Sequence, residues 1–140
     1  MLMSNPSLGD STFLIIRSGS VIHNQPSQCH FFNAPLQLAK MPPGKRQKGS
    51  LIDQPEDAAL FQTSLQAGDI VVVATDGFSD NVHPGELEQI TKLVLEHQVR
   101  DVATDGQTMD RLALALVNFS RLCMFKAGLL SRSASFRTRS

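Results

Sequence analysis

Apolar residues recur at two different periods along this chain, and each period predicts a different kind of element. Thr12-Phe13-Leu14-Ile15-Ile16-Arg17 is a run of β-branched and aromatic residues, which fits a strand. Ser18-Gly19 offers the positive-φ positions of a tight hairpin, and Ser20-Val21-Ile22-His23 reads as the returning strand. Phe61-Gln62-Thr63-Ser64-Leu65 alternates apolar and polar, as a half-buried strand does. After a turn at Ala67-Gly68-Asp69, Ile70-Val71-Val72-Val73-Ala74 is apolar at every position. That predicts a strand covered on both faces.

The period then changes. Pro84 suits the first position of a helix, with Glu86 in the favoured first turn and Leu87, Ile90 and Val94 on one face. A second helix is expected from Thr108 to about Lys126. Its apolar stripe is Leu112, Leu116, Phe119 and Cys123, and Gly128 supplies a stop. Met109 and Met124 are expected to fill core gaps. Between residues 24 and 60 five prolines interrupt any period. Pro42-Pro43-Gly44-Lys45-Arg46-Gln47-Lys48-Gly49 reads as an exposed, solvated basic loop rather than a phosphate-binding or import signal.

Bulk properties narrow the classes. With 13 basic and 13 acidic residues the formal charge is zero, so nothing global points to nucleic acid or an anionic membrane. No apolar run is long enough to cross a bilayer, and residues 1–7 show no secretory leader. Cys29 and Cys123 are isolated and read as ordinary thiols of a reducing compartment. His23, His30, His83 and His97 lack zinc spacing, so surface or packing roles are expected for them. Beyond Asp110 there is no acidic residue but six basic ones, and the end is rich in Ser and Arg. Residues 128–140 are therefore expected to be a disordered basic tail, separate from a domain over residues 1–127.

Candidate chemistry concentrates in Ala74-Thr75-Asp76-Gly77-Phe78-Ser79-Asp80-Asn81, at the end of the apolar strand. Asp76 and Asp80 suit a turn or cap by local hydrogen bonding. They equally suit a pair of ligands for a hydrated Mg²⁺ or Mn²⁺, which uses few carboxylates and keeps several waters. An EF-hand fails because Phe78 occupies an intermediate ligand position. A phosphoaspartate arrangement is weakened by the same Phe78. Asp10, on a glycine turn before the first predicted strand, is a third candidate if the two strands are neighbours.

Three segments in this order resemble a known family. Leu8-Gly9-Asp10-Ser11-Thr12-Phe13, then Gln28-Cys29-His30-Phe31-Phe32-Asn33-Ala34-Pro35-Leu36-Gln37-Leu38, then Gly68 through Asn81 are similar to the metal-dependent PP2C-type protein phosphatases, PTC7-like branch. The likeness spans roughly residues 5–120. Cys29 before His30, and Ser79 where an apolar residue is usual, are minor departures. The resemblance implies an α+β fold, an α-β-β-α sandwich of two mainly antiparallel sheets flanked by helices, with the N-terminal half absent. It implies hydrolysis of phosphoserine and phosphothreonine in phosphoprotein substrates, with Mg²⁺ or Mn²⁺ as cofactor. Asp76 would serve the central metal pair, and Asp10 and Asp80 would join it around a third, weaker ion. Gly77 would permit the tight turn, and Asn81 would support or cap it. Members of this branch are often organellar, which implies an intracellular and even mitochondrial setting.

The same comparison marks what is missing. The family's N-terminal acidic pair, its phosphate-binding arginine and its closing Asp-containing motif have no counterpart here, and residues 1–7 do not read as the strand that leads into Gly-Asp-Ser. The chain is expected to be an incomplete, inactive piece with uncovered sheet edges and apolar surface. A non-catalytic interaction module derived from a phosphatase is the alternative.

Overall fold

A computed structural model describes residues 1–40, 42, 44, 51–98 and 105–137, the last segment with side chains over 106–126. The basic stretch at 42–49 therefore lies largely outside the described residues. The chain divides into two compact units, Met1–Arg17 with Ile22–Asp76, and Ser18–Val21 with Gly77–Ser140.

The strands are β1 (Leu2–Ser7), β2 (Thr12–Arg17), β3 (Ser20–Asn24), β4 (Cys29–Phe31), β5 (Ala34–Pro35), β6 (Ala59–Ser64) and β7 (Ile70–Ala74). They form an antiparallel pair β1-β6, a three-stranded sheet ordered β3-β2-β7, and a small pair β4-β5. The predicted hairpin is present, with Ser18 at φ 51° and Gly19 at φ 77° between β2 and β3. Two consecutive positive-φ residues give the turn whose twist matches its strands. β2 is the central strand, and Phe13, Leu14, Ile15 and Ile16 are all buried. Gln25, also buried, is held by three hydrogen bonds: its N–H donates to Phe13 O, its carbonyl accepts from Thr12 Oγ1, and its side-chain oxygen accepts from Asn5 Nδ2.

Two expectations for the strands need correction. β7 is not covered on both faces; among the described strands it is at an edge, paired only with β2, and Val73 is 77% exposed. An apolar run reports what a strand can bury, and here no further described strand lies beside it. Residues 2–7 do form a strand, β1, paired with β6 from Leu2↔Ser64 to Ser7↔Ala59. Its sequence hid it, since Asn5 and Pro6 disfavour strands, yet Pro is tolerated where a strand has only one partner.

In the second unit the helices are α1 (Asp76–Ser79), α2 (Pro84–Gln98) and α3 (Asp105–Arg137). The α2 start is as predicted. Glu86 Oε2 accepts the His83 N–H at 2.8 Å, reaching back over the first turn. Leu87 is buried, with Ile90 and Val94 half-buried on the same face. Thr91, fully buried, donates its hydroxyl to Leu87 O. The hairpin tip belongs to this unit: Val21 N–H donates to Glu88 Oε1 at 2.7 Å, and Lys92 covers Gly19. A Cβ at Gly19 would stand 2.9 Å from Lys92 Cγ.

On α3 the expected stripe is inward, with Leu112 and Leu116 buried and Phe119 and Cys123 half-buried. Met109 and Met124 are not core residues; both are exposed. The helix does not stop at Gly128 but runs on to Arg137, over much of the segment expected to be a disordered tail. One glycine costs a helix only about 1 kcal/mol relative to alanine, and Lys126-Ala127 and Leu129-Leu130 on either side favour helix. Leu114, Val117, Leu122 and Phe125 lie away from this stripe, interspersed with polar residues such as Asn118 and Arg121, and all are exposed. Cys29 and Cys123 are free thiols, as expected, and no described helix is long and apolar enough to cross a membrane.

The β2-β7 ladder is clamped at one end. Arg17 Nε donates to Asp69 Oδ1 at 2.8 Å and Nη2 to Oδ2 at 2.7 Å, and the Gln66 N–H donates to the same carboxylate. These contacts, Arg17 first and Gln66 second, lower the Asp69 carboxyl from 3.8 to about 2. The fold favours the ionised form, so the clamp is fully present above the unfolded value and is lost as pH falls toward about 2. The melting temperature of Asp69→Asn should therefore lie below that of the parent chain at neutral pH, and the gap should close as the buffer is taken from pH 4 to about 2. A gap that stays constant over that range contradicts the clamp.

Candidate metal centre

The antiparallel register decides which acidic residues meet. β2 pairs with β7 as Thr12↔Ala74, Phe13↔Val73, Leu14↔Val72, Ile15↔Val71 and Ile16↔Ile70. Asp10 precedes Thr12 by two residues and Asp76 follows Ala74 by two. The ladder thus brings Asp10 and Asp76 to one end of the same pair of strands, opposite the Arg17–Asp69 clamp. The neighbouring of the two strands, on which Asp10 depended as a candidate, is present. Asp10 is half-buried and Asp76 is exposed.

The turn that carries Asp10 is built around Gly9, which is buried at φ +108°. A side chain there would be strained by the backbone alone, and a Cβ would also stand 3.0 Å from Leu36 O. Gly9 O accepts the Gln28 N–H at 2.8 Å, and Gln28 O accepts the Leu36 N–H at 3.0 Å. Gln28 and Leu36 flank the β4-β5 pair, so the base of that small hairpin supports the Asp10 turn. An open cleft over the turn is lined by Leu8, Gly9, Asp10, Pro35, Leu36 and Gln37.

Asp76 opens α1. Gly77, expected to permit a tight turn there, lies within this single helical turn. Asp80 directly follows α1 and is exposed. Asn81 caps the turn: its Nδ2 donates to Gly77 O at 2.9 Å, and its N–H donates to Phe78 O. Ser120 Oγ on α3 approaches the same Gly77 carbonyl at 3.5 Å.

Among the described residues no cluster of three or more His, Cys, Asp or Glu side chains could hold an ion. Two carboxylates at one ladder end still suit a hard cation that retains most of its water. Sequence inspection missed Asp53. This buried carboxylate accepts the Gln37 N–H at 2.6 Å and stands 2.8 Å from His30 Nε2. It belongs to no recognisable motif, and only the folded chain, through the Leu38↔Asp53 bridge, shows its role.

Set beside known proteins, this fold is that of the PP2C-type phosphatases. The X-ray structure of the photosystem II phosphatase PBCP matches with a TM-score of 0.60 at 23% identity, over 82% of this chain and 39% of that one. The sequence points to one branch within that class. The protein phosphatase PTC7 homolog fig of Drosophila grimshawi is 43% identical over 115 residues, 81% of this chain and 37% of that protein. Its counterpart in Drosophila melanogaster is 38% identical over 132 residues, 94% of this chain and 37% of that protein. No family model matches the chain. The chain is a PTC7-type relative over most of its length, and it spans little more than a third of these relatives.

Gly9→Ala and Gly68→Ala separate the two demands on the Asp10 turn. Gly68 is also at positive φ, +88°, but has open space around it. Urea unfolding should show each variant losing roughly 1–3 kcal/mol from backbone strain, with Gly9→Ala the worse of the two. Equal losses would mean that the contact with Leu36 O carries no weight.

Proposed function

We infer that this chain is part of a metal-dependent protein serine/threonine phosphatase acting on phosphoserine and phosphothreonine in proteins. The observation that carries the reading is the β2-β7 register, which sets Asp10 and Asp76 at one ladder end. In this reading Asp10 and Asp76 offer carboxylate oxygens to Mg²⁺ or Mn²⁺, and the resemblance adds Asp80 as a third ligand. Such an ion supplies a nucleophile at neutral pH and offsets charge on the phosphoryl oxygens. The chain's own contribution is positional. β7 delivers Asp76 at the start of α1, and the Gly9 turn holds Asp10 against the β4-β5 base.

The chain by itself is proposed to be inactive. Two-ion phosphoryl hydrolysis needs more carboxylates than this ladder end offers, and the relatives are nearly three times as long as the matched region. A second reading, an interaction module that uses a phosphatase-derived surface, draws support from the exposed apolar side chains Leu114, Val117, Leu122 and Phe125 of α3 and from exposed Val73. An in-frame Asp-Gly motif upstream in the full transcript would favour the enzyme over the module.

Purified chain incubated with a phosphothreonine peptide and Mn²⁺ should release no phosphate above the Asp76→Ala background. Robust Mn²⁺-dependent release that Asp76→Ala abolishes would overturn the claim of inactivity while upholding Asp76 as a ligand.

A further inference from the structure

The His30–Asp53 pair lies outside the ladder that carries the candidate carboxylates, yet its hydrogen bonds lead to one of them. β4 and β5 are three and two residues long, joined through Asn33 at φ 56°. A hairpin this short does not hold its shape alone. Asp53 fastens it from both strands. One oxygen meets His30 Nε2 on β4 at 2.8 Å, and the other accepts the Gln37 N–H just beyond β5 at 2.6 Å. The return backbone contact, from the Asp53 N–H to Gln37 O, is 3.4 Å. The Asp53 carboxylate is buried, so its two partners, and not water, define its place.

The fastened hairpin in turn holds the Asp10 turn through the Gln28 N–H on Gly9 O and the close approach of Leu36 O to Gly9. Every step from Asp53 to Asp10 is a hydrogen bond, a close van der Waals approach or a covalent link within one compact unit. We propose that Asp53 and His30 are positioning residues that fix the Asp10 carboxylate for cation binding, acting through the β4-β5 hairpin. This rests on the reading of Asp10 and Asp76 as cation ligands. Partners that orient a ligand without touching the ion typically govern its affinity by 10–100-fold.

The test is Mn²⁺ titration of the chain, followed by the electron paramagnetic resonance signal of the free ion. In parallel, nitrogen–proton correlation spectra of the metal-free chain report the Gly9 and Asp10 amides. His30→Ala should raise the Mn²⁺ dissociation constant about tenfold, shift both amides and leave the melting temperature within a few degrees. His30→Gln, whose amide nitrogen can replace Nε2 as donor to Asp53, should restore the affinity. Asp53→Asn, which keeps an acceptor for the Gln37 N–H, should fall between them. Unchanged affinity in His30→Ala overturns the proposal, as does a loss of affinity with both amides unmoved. Asp76→Ala serves as the control on the underlying reading: if it leaves Mn²⁺ binding intact, the ligand assignment itself fails, whatever His30 does.

Discussion

The antiparallel pairing of β2 with β7 is the constraint on which the rest depends. Side chains alternate faces along a strand, so a slip of one residue would turn every β2 side chain to the opposite face. It would also break the alignment of Thr12 with Ala74 that brings Asp10 and Asp76 together. The two ends of the ladder divide the work. Arg17 and Asp69 lock the register at one end with a two-point ion pair. The other end, freed from that task, presents carboxylates. Because β2 is buried on both faces by Phe13, Leu14, Ile15 and Ile16, the support beneath the candidate centre is the most enclosed part of this unit.

A second layer of support comes from elements with little core of their own. The β4-β5 hairpin buries no large apolar side chain, and Phe31 and Phe32 at its tip are exposed. Its shape depends on polar contacts to one buried carboxylate, Asp53. Such an arrangement gives direction more than stability, since the hydrogen bonds to a buried carboxylate must first offset its desolvation. That suits a segment whose task is to hold Gly9 in place.

Local pattern made the elements of this fold legible where neighbours in sequence are also neighbours in space. Ser18-Gly19 marked the hairpin, Pro84 and Glu86 marked the start of α2, and Leu112, Leu116, Phe119 and Cys123 marked the inner face of α3. Non-local pairing was not legible in the same way. β1 draws its strand conformation from β6, some sixty residues away, and its own residues argue against it. β7 looked like an inner strand because valine and isoleucine fill it, but composition cannot report how many neighbours a strand has. The candidate ligands Asp10, Asp76 and Asp80 were visible from their order and the residues around them. Asp53 was not, because a carboxylate outside any motif acquires meaning only when the fold brings His30 and Gln37 to it.

The central claim is that Asp10 and Asp76, far apart in sequence, serve one ion. A double-mutant cycle on Mn²⁺ affinity, using Asp10→Asn, Asp76→Asn and the pair together, addresses it most directly. If one cation is shared, each single substitution weakens binding strongly and the double variant is little worse than the weaker single one. Independent losses that add in free energy, or an Asp10→Asn variant that binds as tightly as the parent chain, would contradict a shared centre.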